Sequence, residues 1–163
     1  MIRPAAPADV PALLGLVREL AEYERAPEEA VATKAQLDDV LFGEDPAVFC
    51  DVAEVDGSVV GMAIWFLSFS TWLGRHGVYL EDLYVTPDRR GEGHGKALLT
   101  TLARRCVERG YGRLEWSVLD WNRPAIDFYL ALGATGMDEW TVHRITGAAL
   151  IDLAGIAPDP STP

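Results

Sequence analysis

The sequence predicts a mixed α/β sheet in one domain, and three observations carry that prediction. Apolar residues recur at helical spacing near the start, then give way to β-rich runs from Ala47 onward. Asp56-Gly57 sits between two such runs, AVFCDVAEV and SVVGMAIWFLSF, and reads as a hairpin turn. A strand closed by Pro87 leads through the glycine-rich GEGHG into a helical stripe and then a further strand. Hairpins followed by a strand–loop–helix–strand crossover give a sheet of mixed direction with helices packed on it. The chain has 163 residues and is 49% hydrophobic, enough for one such domain to bury a core.

In order, a short opening strand precedes an amphipathic helix. Val10, Leu13, Leu14, Val17, Leu20 and Ala21 form its stripe, and Pro11 is tolerated in its first turn. Thr33 caps a second helix over KAQLDDVLF. The hairpin follows, and VYLEDLYV, residues 78–85, is the next strand. After the glycine loop comes a helix with the stripe Leu99, Leu102, Ala103 and Cys106, ended by Gly110. RLEWSVL reads as a strand. Residues 122–132 read as a helix with the stripe Ala125, Phe128, Tyr129 and Leu132, ended by Gly133. EWTVHRIT is a final strand candidate, so the order is β, α, α, β, β, β, α, β, α, β. The end, APDPSTP, is low in complexity. Residues 156–163 are therefore expected to be a flexible tail behind a domain of residues 1–155.

The formal charge of -11 is uneven. From Glu19 to Asp56 twelve acids face only Arg25 and Lys34, whereas from Asp88 to Arg113 seven bases outnumber Asp88, Glu92 and Glu108. The acidic half suits a cationic partner or simple solubility; the basic island around the glycines suits an anion. Duplex nucleic acid is a poor partner for so acidic a chain. Cys50 and Cys106 have no paired spacing and read as two buried thiols in a reducing compartment. MIRPAAPADV has no apolar signal core, and VVGMAIWFL is too short to span a bilayer. A cytoplasmic protein without membrane contact is the expectation. His76 and His143 have no ligand-like spacing, so no metal site is expected.

The stretch RRGEGHGKALL decides the chemistry. The dinucleotide fingerprint G-x-G-x-x-G would need glycine at Lys96 or Leu98, and the nucleotide P-loop would need glycine at Arg90 and Ser or Thr at Ala97. What remains is Arg90-x-x-Gly93-x-Gly95, after a strand and opening a helix. Glycines let a backbone approach a ligand closely, and a helix N-terminus adds free N–H donors and partial positive charge. Arg90 or Lys96 could add a charged hydrogen bond. A plain glycine-rich turn is the alternative.

With LEDLYVTPDRRG before the loop and WNRPAIDFYLALGA after it, the chain resembles the GNAT-type N-acetyltransferases. It is similar above all to their diamine and polyamine (spermidine/spermine, thialysine) subgroup. The resemblance runs from IRPAAPADV and RELAEYE to the GATGMDEW region. It implies a twisted, mostly antiparallel sheet splayed at one strand, acetyl-CoA as donor, a small cationic amine as acceptor, and a homodimer. The pyrophosphate would lie on Arg90, Gly91, Glu92, Gly93, His94, Gly95 and Lys96, and the pantetheine arm beside Leu83, Tyr84 and Val85 like an added strand. Asn122, Arg123, Pro124 and Ala125 would line the cofactor's other side, although Asn122 also reads as an ordinary helix N-cap. His94 stands where the family often has a bulky aliphatic residue.

Tyr129 matches the family tyrosine that protonates the leaving thiolate; by periodicity alone it is a core residue. Glu81 matches the glutamate that acts as base near the amine, directly or through water. Glu81 and Asp82 are adjacent on a strand and are expected on opposite faces, with Asp82 also near the amine. Tyr23, Glu24, Glu115, Trp116 and Ser117 match segments that line the acceptor. Asp138, or Glu139, matches a further acid in a region about three residues shorter than the family pattern. The implied reaction is direct attack by a neutral amine on the thioester, with a backbone N–H near Leu83 or Tyr84 steadying the oxyanion. Acetylation of a protein lysine or an N-terminus remains an alternative, as does a noncatalytic acyl-CoA-binding module.

Overall fold

The computed structural model describes residues 1–155 and divides into two compact units, Met1–Ser117 and the segment from Val118 onward. The tail expected at 156–163 lies outside the described residues. The first unit contains one five-stranded sheet in the order β1-β2-β3-β4-β5. Its strands are β1 (Ile2–Pro4), β2 (Val48–Val55), β3 (Ser58–Ser70), β4 (Arg75–Val85) and β5 (Leu114–Trp116). The first four pair antiparallel, and β5 joins β4 in parallel through the crossover helix α3 (His94–Arg109).

Local chemistry explains the elements before β4. Helix α1 (Val10–Tyr23) carries Pro11 in its first turn, where the missing N–H costs nothing. Leu13 and Leu16 are buried, so Leu16 belongs to the stripe as well. Helix α2 (Lys34–Phe42) opens on a capping box in which the Thr33 hydroxyl accepts from Gln36 N–H and the Gln36 side chain accepts from Thr33 N–H. Asp56 and Gly57 both have positive φ, 49° and 78°, which suits the twist of the β2–β3 hairpin.

The sheet has two distinct faces. Cys50, Val52, Met62, Ile64 and Tyr84 pack with Leu13 and Leu16 of α1 and Leu41 of α2. The other face carries Asp51, Trp65 and Leu80, and α3 crosses it. Helix α3 buries Leu98, Leu99, Leu102 and Cys106; Ala103, expected in the stripe, is exposed. Where Ala103 was expected the sheet-facing side chain is Arg105. Its guanidinium bonds both oxygens of Asp51 at 2.8 and 3.1 Å and lies 4.5 Å from the centre of the Trp65 ring, while Trp65 Nε1–H donates to Asp51 at 2.9 Å. Both cysteine thiols are buried, as expected, and burial pushes that of Cys50 up to about 12.

In the second unit, α4 (Arg123–Ala131) begins at Asn122, whose side chain accepts from Ala125 N–H at 3.3 Å. The N-cap role is therefore present. Two expectations need correction. RLEWSVL forms a strand only over Leu114–Trp116. EWTVHRIT forms no strand among the described residues; α5 (Gly147–Ala154) follows it instead. Alternating Trp140 and Val142 supply strand propensity, but a strand exists only through a hydrogen-bonded neighbour, and the sheet ends at β5.

Candidate active site

The site is organised by an irregularity in β4. Leu80 pairs with Trp65 and Asp82 with Ile64, so Glu81 is an extra residue with no partner across β3. Leu80 thus faces α3, while Asp82 and Tyr84 face α1. The expectation that Glu81 and Asp82 must point to opposite faces rested on regular alternation, and the bulge removes that premise. Their carboxylates are electrostatically coupled. Burial, reinforced by the charges of Glu81 and then Glu24, pushes the Asp82 carboxyl up to about 6. Glu24 stands at the C-terminal end of α1, and burial raises its pKa too. Glu81 itself is exposed. Of the four acids expected around the acceptor in this unit, Glu81 and Glu24 thus act on Asp82.

The fourth, Glu115, lies on β5, where it pairs with Arg113 at 2.6 Å and faces Tyr79 across the ladder. Trp116 pairs with Leu80, and Ser117 Oγ lies 2.9 Å from Tyr79 Oη. Tyr79 carried no sequence signal for this contact. The β4–β5 ladder stops at Leu80–Trp116, while β4 continues to Val85. From Glu81 to Val85 the edge of β4 remote from β3 has no strand beside it among the described residues. That is the splay expected at Leu83, Tyr84 and Val85.

The glycine loop continues directly from this edge. Gly91 and Gly93 have φ of 81° and 88°, a region that residues with a Cβ enter only under strain. A Cβ at either would meet nothing within 4 Å, so backbone conformation requires glycine here and the space over the loop is open. Gly93 caps α3 with no side-chain bond, and the first helical bond runs from Ala97 N–H to Gly93 O at 2.9 Å. The amides of His94, Gly95 and Lys96 in the first turn have no carbonyl of their own helix to reach. Such a cradle fits a pyrophosphate. Glu92 stands beside it, 3.1 Å from His94 Nε2 and 3.8 Å from Arg89.

Arg90 does not extend over the loop. Its Nε–H donates to Val85 O at 3.0 Å, and its guanidinium lies 5.0 Å from the centre of the Tyr23 ring and 5.3 Å from that of Tyr84. Burial and then the charge of Glu19 raise the Tyr84 phenol, and Arg90 counters them. Tyr23, Glu24, Glu81, Asp82, Tyr84 and Arg90 thus form one constellation within the first unit.

The remaining candidates lie in the second unit. Tyr129 is half-buried on α4, with its ring 5.3 Å from that of Phe128. Arg123 pairs with Asp127 at 2.8 Å, one turn along α4. Asp138 is exposed in the turn before Trp140.

Residues 13–134 match the family model described as the Acetyltransferase (GNAT) family. The chain is 40% identical to a thialysine N-epsilon-acetyltransferase of Bos taurus, across 95% of this chain and 97% of that one. It is 31% identical to an L-ornithine N5-acetyltransferase of Arabidopsis thaliana, across 91% and 85%. Among solved structures it is similar to a Vibrio cholerae integron cassette protein, with a TM-score of 0.79 and 28% identity over 94% and 96% of the two chains. An aminoglycoside acetyltransferase from a soil metagenomic sample, TM-score 0.74 and 21% identical over 90% and 95%, shares the fold.

Proposed function

The chain belongs to the acetyltransferase (GNAT) family and is an N-acetyltransferase, and from that premise we propose that it moves the acetyl group of acetyl-CoA onto a primary amine of a small cation: a polyamine, a diamine or a lysine-like amino acid. One observation carries the choice of acceptor. The Glu24, Asp82 and Glu81 carboxylates gather where the free edge of β4 runs into the glycine loop. A cationic acceptor is attracted to the point where the donor's carbonyl would be held.

Acetyl-CoA supplies an activated thioester carbonyl. The backbone from Arg90 to Lys96 holds its pyrophosphate, and the free edge at Leu83, Tyr84 and Val85 aligns the arm and offers an N–H to the developing oxyanion. Asn122, Arg123, Pro124 and Ala125 are assigned to the cofactor, and Glu115, Trp116, Ser117 and Asp138 to the acceptor, on their places in the family motifs. Asp82 is ionised above about pH 6 and recruits the ammonium. That attraction raises the ammonium's own pKa and opposes the deprotonation that attack requires. Glu81, exposed at the bulge, therefore takes the proton, directly or through a water. Tyr129 is assigned as the acid that protonates the leaving sulfur from its place in WNRPAIDFY. A buried thiol at Cys50 or Cys106 is no nucleophile, so transfer is direct. Residues 1–155 are taken as one acetyltransferase domain acting as a cytoplasmic homodimer, on family analogy.

The test is release of free CoA from acetyl-CoA in the presence of spermidine, putrescine, thialysine, ornithine and a short N-terminal peptide. Turnover with at least one of the small amines and little with the peptide is expected. Turnover with the peptide alone would replace this reading with protein acetylation, and CoA binding without turnover would make the protein a noncatalytic module.

A further inference from the structure

We propose that Arg90 is a positioning residue that couples the two substrate sides, because its side chain is anchored in a slot between Tyr23 on the acceptor side and Tyr84 on the donor strand. The inference rests on the reading above and goes beyond assigning Arg90 to the cofactor. Three contacts define the slot. The guanidinium is 5.0 Å from the centre of the Tyr23 ring and 5.3 Å from that of Tyr84, and Nε–H donates to Val85 O at 3.0 Å. All three partners are fixed independently of the loop. Tyr23 is the last residue of α1, a helix buried through Val10, Leu13 and Leu16. Tyr84 is itself a core residue, 5% exposed. Val85 ends β4, opposite Gly61.

Arg90 is also the first residue of the anion cradle, with Gly91 and Gly93 immediately after it in their left-handed conformations. A guanidinium held at one end leaves the cradle fewer conformations to lose when an anion docks. The same guanidinium lies against the Tyr23 ring, and Tyr23 is followed directly by Glu24 at the end of α1. Losing the Tyr23 ring therefore frees one side of the guanidinium that anchors the cradle, and by linkage acetyl-CoA affinity and the acceptor side depend on each other. Lysine would not substitute, since it lacks both the planar face and the Nε–H.

The experiment is a double-mutant cycle read in acetyl-CoA affinity by calorimetry with no amine present, a condition under which a residue that only touches the amine is silent. Tyr23→Leu, which removes the ring face, should weaken acetyl-CoA binding about three- to tenfold, the range of a partly desolvated cation–π contact. In an Arg90→Gln background, Tyr23→Leu should add nothing further. The proposal is overturned if Tyr23→Leu raises only the amine KM and leaves acetyl-CoA affinity within about twofold, or if the two substitutions multiply. Should Tyr23→Leu not fold, Arg90→Lys decides from the other side. The spermidine KM at saturating acetyl-CoA rises if the slot couples the sites and is unchanged if Arg90 serves the cofactor alone. Failure of the unaltered protein to bind acetyl-CoA would sink the functional reading itself, a distinguishable result.

Discussion

Replacing Asp51 tests whether the helix that follows the glycine loop is locked to the sheet by charge. Asp51 is 2% exposed and accepts three hydrogen bonds, two from Arg105 and one from Trp65 Nε1. Asp51→Ala strands the indole N–H, at about 1–3 kcal/mol. It also leaves the Arg105 guanidinium without its counter-charge. Truncating one partner of a buried pair costs about 3–5 kcal/mol in full, and the Arg105 side chain, 26% exposed, can recover part of that from water. Asp51→Ala should therefore cost about 3–5 kcal/mol in all. Asp51→Asn keeps one oxygen acceptor, which can serve Trp65 Nε1 and Arg105 Nη1, but sets an NH2 where Oδ1 accepted from Arg105 Nη2, and losing that charge-assisted bond costs about 1.5–3 kcal/mol. Urea unfolding of both variants at pH 7, followed by tryptophan fluorescence, gives the two values. An Asp51→Ala cost below about 1 kcal/mol, or an asparagine variant no more stable than the alanine one, would refute the lock.

Asp82 gives a pH test with a definite sign. Its carboxyl lies higher in the folded protein, about 6, than the ordinary 3.8, so folding favours its protonated form. Its destabilising contribution is absent below about pH 4, grows through the window up to pH 6 and is constant above it, at on the order of 2–3 kcal/mol. Asp82→Asn should thus raise stability at pH 7 and lose that advantage near pH 4; equal gains at both pH values would refute it. Spermidine KM should also fall between pH 5 and 7 in the unaltered enzyme and stay flat in Asp82→Asn. Tyr129→Phe should lower kcat by about a hundredfold or more with acetyl-CoA KM little changed; an unchanged kcat from pH 6 to 10 removes Tyr129 from the chemistry. Gly93→Ala forces a side chain into φ of 88°, costs about 1–2 kcal/mol and should raise acetyl-CoA KM more than amine KM, as steady-state kinetics will report.

Features that depend on neighbours in sequence were legible without a structure. Thr33 and Gln36 form their capping box, Asp56-Gly57 makes its turn, Asn122 caps α4, and the glycines open α3, because each is decided within a few residues. The family motifs then marked out the constellation around β4. What the sequence hid is pairwise and distant. Asp51 and Arg105 are 54 residues apart, and a charged residue on a helix reads as solvated until the sheet beneath it supplies a carboxylate. The bulge at Glu81 is a property of register between two strands, so β4 alone reads as regular. Arg90 looks like a phosphate ligand from spacing, and only the positions of Tyr23 and Tyr84 redirect it. EWTVHRIT misled because its alternation speaks of propensity and says nothing of a partner.

Glu81 is an insertion in an otherwise ordinary strand. Remove it, and Leu80 followed by Asp82 would still alternate correctly: Leu80 opposite Trp65, Asp82 opposite Ile64, Tyr84 opposite Met62. Both hydrophobic faces would stay in frame, and the hairpin would lose only an irregularity. The proposed base thus sits at a position the β3–β4 pairing does not use, and deleting its one codon would keep the pairings on either side in register. A side chain carried on a bulge can be exchanged without repacking either face of the sheet.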